Sequence, residues 1–308
     1  MEPVGPTAPI ETPNASGPFA ITDREFQRFR ALIYQHTGIA LGEIKQQMVC
    51  SRLGKRLRHY GYRTFSQYYQ HLMERDPKGE ELLRMINAIT TNKTDFFREA
   101  DHFPFLASEI LAPLVAQAHA GGPRRLRIWS AACSSGEEPY SIALTVLEGL
   151  SAQGAWDVKI LASDIDTDML AEAKEGIYRA ERVASLPPPL LKRYFLCGKG
   201  ARESLVRVRK EVRDLVAFRR INLRDEDWPI RTIFDVIFCR NVIIYFDRPT
   251  QERLMVRLVN LIRPGGFLFL GHSESLIGMQ VGLRSVGKTV YRKAGDEEEW
   301  PKVRRARG

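Results

Sequence analysis

Residues Ser130–Ser141, SAACSSGEEPYS, join an apolar run to a helical pattern, where many α/β chains hold a ligand. A glycine-rich loop there would cradle phosphate on open backbone N–H groups. This loop instead has one glycine, Gly136, and two adjacent carboxylates, Glu137 and Glu138, which repel an anion. The next apolar run ends at Ser163-Asp164-Ile165-Asp166. A carboxylate at the end of a second strand can accept from two vicinal hydroxyls, as a ribose presents. A ribose carrying a cation and no phosphate satisfies both loops. S-adenosylmethionine, with adenine, ribose, ammonium and sulfonium, is such a ligand, and carboxylates near its positive groups are favourable in a partly dry pocket. The acids of the loop would equally complement a helix N-terminus; Asp164 at the next strand end favours the ligand.

The elements that must position these residues are legible as patterns. From about 126 onward, β-rich runs alternate with amphipathic segments: RLRIWSAA then PYSIALTVLEGL, VKILASDI then DTDMLAEAKEG, FDVIFCR then RPTQERLMVRLVNLI, then FLFLGHS. This alternation predicts a doubly wound parallel sheet covered by helices. A small β-containing insertion is expected at about 181–218, with Pro187–Pro189 and the run SLVRVRKEVRDLVAF, and GKTVYRK reads as an edge strand. Ahead of the sheet the signals are helical. Thr22-x-x-Glu25 is a capping box, Gly38 a C-terminal cap, Thr64-x-x-Gln67 a second box, and Val49, Leu53, Leu57 and Tyr60 share a face. The expected organisation is a disordered tail at 1–18, a helical domain at 19–92, a catalytic domain at 93–292 and a charged tail at 293–308.

The 308 residues, 44% apolar and 27% charged, describe a globular chain large enough for more than one folding unit. No run is long enough for a membrane helix and no basic-then-apolar leader is present, so a cytoplasmic protein without membrane insertion is expected. Cys50, Cys133, Cys197 and Cys239 lack metal or disulfide spacing, the six histidines form no motif, and no metal is expected. A net charge of +9 points to an acidic partner without choosing among nucleic acid, lipid and protein.

Seven segments in order resemble the CheR family, the bacterial chemoreceptor glutamate O-methyltransferases, across nearly all of 20–292. They are RLGKRLRHYGYRTFSQYYQHL, ITTNKTDFFREADHFPFL, IWSAACSSGEEPYSIAL, ASDIDTDMLAEAKEGIY, LVRVRKEVRDLVAFRRINL, FDVIFCRNVIIYFD and GGFLFLGHSESL. The resemblance implies a class I S-adenosylmethionine-dependent methyltransferase fold, Rossmann-like, with an N-terminal all-helical domain and an inserted β-subdomain. It implies methyl transfer to glutamate side chains on the cytoplasmic signalling helices of methyl-accepting chemoreceptors, leaving S-adenosylhomocysteine. Carried over position by position, Asn92, Thr94 and Arg98 face the cofactor and reaction centre. Glu137 and Asp164 hold the cofactor, Asn222-Leu223 and Arg240-Asn241 line its adenine and methionine sides, and Tyr245 lies near the transferred methyl.

A glutamate acceptor is ionised at neutral pH, with a pKa of about 4.3, so no general base is required. Arg98 is read as the group that orients the acceptor carboxylate, since a guanidinium fork fixes both oxygens in one plane. Arg52, Lys55, Arg56, His59 and Arg63 follow helical spacing and are read as a basic stripe that meets an acidic receptor helix. The β-subdomain edge could take a receptor C-terminal tail, as some family members do. Recruitment of a monomer to receptor arrays is expected. Cys133 in the cofactor loop is read as a point of oxidation sensitivity. The competing readings are a nucleic-acid methyltransferase and a non-catalytic cofactor-sensing module. The first lacks the Asn/Asp-Pro-Pro-aromatic turn, since that position reads Arg240-Asn241-Val-Ile-Ile-Tyr245.

Overall fold

The computed structural model describes residues 19–150 and 152–295. The tails expected to be disordered, 1–18 and 293–308, lie outside these residues except for Lys293–Gly295. Lys293 is not tail: it closes a strand, and its Nζ donates to the carbonyls of Val259 and Ile262 at 2.8 and 2.7 Å. The described chain divides into two compact units, residues 19–31 with Gly42–Ile89, and Leu32–Leu41 with residues 90–295.

The first unit is helical for local reasons. Thr22 and Glu25 cap one another ahead of helix Asp23–Thr37, with Thr22 N–H donating to Glu25 at 3.0 Å and Glu25 N–H to Thr22 Oγ1 at 3.3 Å. Helix Gln46–Tyr60 buries Val49, Leu53 and Leu57 completely, one per turn, and stops at Gly61, whose φ of 69° suits the left-handed cap. The capping box of Thr64 and Gln67 starts helix Phe65–Glu74, and Glu80–Ile89 follows. Phe29 anchors the interior against Phe65, Tyr68 and Tyr69, with ring centroids 5.6–6.0 Å away.

The second unit carries ten strands: β1 Arg125–Ala131, β2 Asp157–Asp164, β3 Ile177–Arg179, β4 Phe195–Cys197, β5 Leu205–Val208, β6 Val216–Arg220, β7 Phe234–Cys239, β8 Ile262–Leu270, β9 Leu283–Gly287 and β10 Val290–Lys293. Seven form one sheet in the order β6-β2-β1-β7-β8-β10-β9, and β3-β5-β4 form a small antiparallel sheet. From β6 to β8 all neighbours are parallel, while β10 runs antiparallel to both β8 and β9. The order reverses between β1 and β7, so the loops after β1, β2 and β7 meet at the carboxyl edge where such sheets bind ligands. Alternate side chains feed two apolar cores, one on each face: Val236 and Phe238 of β7 enter one, Ile237 and Cys239 the other. Helices Glu137–Leu150, Thr167–Glu175 and Arg248–Asn260 supply the covering layers.

Two strand readings change. The run at 204–218 is not one alternating segment: β5 ends at Val208, a short helix Lys210–Arg213 intervenes, and β6 pairs with β2 in the large sheet. The small sheet in turn begins at Ile177, ahead of 181. β10, expected at an edge, sits between β8 and β9, and β9 is the edge strand. Its sequence LRSVG has strongly apolar residues only at Leu283 and Val286, three apart, and gave little period-two signal.

Candidate active site

The loop between β1 and helix Glu137–Leu150 turns tightly. Ala132 and Ser134 take positive φ, 65° and 49°, and a Cβ on Gly136 would meet the Ala173 Cβ at 2.8 Å. The turn delivers Ser134 N–H to Asp164 Oδ2 at 2.8 Å, while the Asp166 N–H donates to Asp164 Oδ1 at 2.9 Å. Asp164 is 7% exposed, has no cation in ion-pair range among the described residues, and burial pushes its carboxyl up. An ionised carboxylate has about four lone-pair sites; two backbone donors leave room for two hydroxyls. This acceptor set fits the two hydroxyls of the S-adenosylmethionine ribose.

Asn92 and Thr94 frame the same loop. Asn92 Nδ2 donates to Asp166 at 2.7 Å, and the Asn92 carbonyl accepts from Ser134 Oγ at 3.1 Å. Thr94 is buried, and its carbonyl accepts from Arg182 at 2.8 Å. Asp166, the second acid of SDID, caps helix Thr167–Glu175 through the N–H groups of Asp168 and Met169.

The two acids that opened the sequence question have partners of their own. Glu137, 1% exposed, accepts from Ser135 Oγ at 2.8 Å and pairs with Arg182 of the inserted segment. Glu138 accepts from Ser130 Oγ at 2.7 Å and from Arg240 at 3.1 Å; burial pushes its carboxyl up, and Arg240 offsets part of this. Much of the negative charge expected to face a ligand cation is therefore met by arginines of the chain itself.

A second cluster surrounds Arg240, whose side chain is 1% exposed. Its guanidinium donates to Glu138, to Glu99 at 2.9 Å and to the Arg98 carbonyl at 2.5 Å. Glu99 also accepts from Asn241 Nδ2 and the His272 N–H, both at 3.0 Å. Burial opposes ionisation of Glu99, but these donors outweigh it and pull its pKa down to about 2. Glu274, 3% exposed, accepts from the N–H groups of Gly271, Asn241, Ile243 and Ile244 at 2.7, 2.8, 2.9 and 3.4 Å, and burial still pushes its carboxyl up. Glu99, His102 and His272 bring potential metal-ligand atoms within 4.8 Å of one another. The cation that Glu99 holds is the guanidinium of Arg240, which together with burial depresses the His102 pKa to about 4.

The remaining site residues are placed as follows. Arg98 is half-buried, makes no ion pair among the described residues, and donates from Nη1 to the Lys93 carbonyl at 2.7 Å. Tyr245 ends the turn Ile243–Tyr245, half-buried, with a phenol that forms no hydrogen bond among the described residues. The Asn222 amide is committed to the His36 carbonyl at 2.7 Å and to Asp225 at 2.8 Å, and the Leu223 side chain lies in an apolar core. Cys133, read from the sequence as a point of oxidation sensitivity, is 1% exposed, and burial, with Asp164 and Glu138 nearby, pushes its thiol up, away from the reactive thiolate.

The basic stripe of the first unit is corrected in part. Arg56 forms a two-point pair with Glu81, which is 3% exposed on its side chain and also accepts from Tyr60 and Tyr68 at 2.9 and 2.7 Å. Arg52 donates to the Ile89 carbonyl. Arg63 lies beyond the Gly61 cap and so shares no helix face with the others. Lys55, His59 and Arg63 are exposed. The stretch 44–63 contains no acid, and the acid that claims Arg56 comes from helix Glu80–Ile89, a pairing invisible to local spacing.

Sequence reasoning missed Glu99, Glu274, Asp166, Arg182 and His272 as site components. The signal for two of them was the GHSES segment, whose Glu274 and His272 sit one loop away from Asn241.

The doubly wound sheet, closed by the antiparallel strand β10 beside β8, together with the family match below, is that of a class I S-adenosylmethionine-dependent methyltransferase. Residues 92–292 match the CheR methyltransferase SAM-binding domain, and residues 24–90 match the CheR methyltransferase all-alpha domain. The chain belongs to the CheR methyltransferase family. It is 50% identical over 291 residues to chemotaxis protein methyltransferase 2 of Pseudomonas aeruginosa, covering 93% of this chain and 100% of that one. It is 45% identical over 278 residues to the chemotaxis protein methyltransferase of Escherichia coli, covering 90% and 93%. The relative from Klebsiella aerogenes is 46% identical over 271 residues, covering 88% and 90%.

Proposed function

We propose that this methyltransferase esterifies glutamate side chains on the cytoplasmic signalling helices of methyl-accepting chemoreceptors, giving glutamate 5-O-methyl esters and S-adenosylhomocysteine. The observation that supports the reading is a contrast between two groups: among the described residues the buried acid Asp164 has no cation in ion-pair range, and the half-buried Arg98 has no acid. The relatives' names, chemotaxis protein methyltransferases, supply the substrate class.

S-adenosylmethionine supplies an electrophilic methyl on a sulfonium. Asp164, Asn92, Thr94, Glu137, Asn222, Leu223, Arg240 and Asn241 are together proposed to hold the donor. Arg98 is proposed to aim the acceptor carboxylate, and Tyr245 to pack beside the transferred methyl. The acceptor needs no deprotonation, because its carboxylate is already the nucleophile. An anion and a sulfonium meet and yield a neutral ester and thioether, so excluding water favours the reaction. Alignment of the two reactants can contribute roughly 7–11 kcal/mol of the barrier reduction. Lys55 and Arg63, with the imidazole of His59, are exposed and are proposed to meet an acidic receptor helix. No helix among the described residues is long and apolar enough to cross a membrane, so contact with membrane arrays is proposed to run through the receptor.

The test is incubation with labelled S-adenosylmethionine and receptor cytoplasmic domains. Label on the receptor that mild alkali releases supports the proposal. Alkali-stable label, or label accepted by RNA instead, contradicts it.

A further inference from the structure

The loop that presents Arg98 is held in a costly shape. Phe97 and Glu99 on either side of Arg98 have φ of 53° and 55°, and with Ala132, Ser134 and Asn241 they make five of the six described non-glycine residues at positive φ. Such conformations cost about 1–3 kcal/mol each and persist only where surrounding bonds impose them. Around Arg98 the imposing bonds converge on Glu99. Its Oε1 accepts from Asn241 Nδ2 and the His272 N–H, and its Oε2 accepts from Arg240, which itself donates to the Arg98 carbonyl. Three chain segments, 97–101, 240–241 and 271–272, are thereby tied to one carboxylate. The main chain of Asn241 is held separately, by Glu274.

We infer that Glu99 is a positioning residue for methyl transfer, fixing through Arg240 the backbone from which Arg98 reaches the acceptor carboxylate. The inference rests on the proposed role of Arg98 as the group that aims the acceptor. Glu99 itself touches neither reactant. Its charge is what Arg240 recognises, and its low pKa keeps that charge present throughout the neutral range. Glu274 holds the Asn241 main chain independently, so loss of the Glu99 charge acts on the Asn241 and Arg240 side chains and, through Arg240, on the Arg98 backbone.

The test is Glu99→Gln, which keeps an oxygen for Asn241 and His272 but turns an amide N–H toward Arg240. The expected result is a kcat lower by about tenfold to a hundredfold, the size of effect produced by a displacement of about 1 Å. Because Arg240 and Asn241 are also proposed to hold the donor, kcat is read at saturating S-adenosylmethionine, with the affinity for S-adenosylhomocysteine measured by calorimetry to set that concentration. Glu99→Gln placed on an Arg98→Ala background should lower kcat no further, because both changes act on one group. If Glu99→Gln does not fold, Glu99→Asp, with its shorter reach to Arg240, is read in the same cycle. An unchanged kcat, or additive losses in the double variant, would each overturn the inference. Wild-type protein that methylates no receptor glutamate would instead remove the reading of Arg98 on which it rests.

Discussion

Replacing Asp164 with asparagine separates the cost of cofactor binding from the cost of folding. The carboxylate now gives one oxygen to the Ser134 N–H at 2.8 Å and the other to the Asp166 N–H at 2.9 Å. Asparagine keeps one oxygen and turns an amide N–H toward the other donor, leaving a buried backbone group unpaired at about 1–3 kcal/mol. Against this, the wild-type charge is itself uncomfortable, since burial pushes its pKa up, so removing it returns part of that loss. The protein without ligand should therefore unfold at only a modestly lower temperature. Binding should suffer more: a charge-assisted hydrogen bond to a ribose hydroxyl contributes about 1.5–3 kcal/mol, or roughly a 10- to 150-fold weaker Kd. Calorimetric titration with S-adenosylhomocysteine reads this directly. Thermal unfolding reads it again: ligand at 100 times the wild-type Kd stabilises wild type by about 2.7 kcal/mol, and a hundredfold weaker variant by only about 0.4 kcal/mol. An Asp164→Asn protein that binds S-adenosylhomocysteine within threefold of wild type would refute the assignment of this carboxylate to the ribose.

Three further outcomes follow from the geometry. His102 has a folded pKa near 4 against an ordinary 6.5, so its contribution to stability is complete above 6.5 and is lost as pH falls from 6.5 toward 4, about 3 kcal/mol in all. In urea unfolding, His102→Gln should flatten the fall in stability across that window, and an unaltered slope would exclude His102 as its source. Arg56→Ala should destabilise by on the order of 3 kcal/mol, because it strands the buried Glu81. Lys55→Ala should leave the unfolding midpoint nearly unchanged while raising KM for the receptor and weakening its salt dependence; equal stability losses for the two would contradict the division of the stripe. Arg98→Lys should lower kcat by about a hundredfold without rescue by charge, since a point ammonium cannot present a planar fork; near-wild-type turnover would show that charge alone suffices.

What the sequence made legible is local. Capping boxes at Thr22 and Thr64, the buried ladder Val49-Leu53-Leu57 and the alternation of strands with helices all depend on neighbours within a turn or a strand. Asp164 was readable for the same reason, because its place at the end of β2 is set by the strand that carries it. The misreadings share a non-local cause. Arg56 looked free until helix Glu80–Ile89 brought Glu81 to it, and Glu137 looked available until Arg182 arrived from the inserted segment. Strand β10 looked like an edge because the sequence LRSVG of β9 lacks an alternating pattern. Glu99 had no local signature and Glu274 only its place in GHSES, since their importance lies in donors 30 to 173 residues away as well as close by. Residues placed by a strand end can be located from sequence, whereas residues that hold other residues in place require the fold.

The most direct measurement of the whole account is peptide mapping of a receptor cytoplasmic domain after reaction with unlabelled S-adenosylmethionine. The account predicts the mass of one methyl group on glutamate side chains of the signalling helices, removed by mild alkali, with S-adenosylhomocysteine formed in equal amount. A methyl on lysine, arginine or a chain terminus, or cofactor turnover without a modified glutamate, would contradict it.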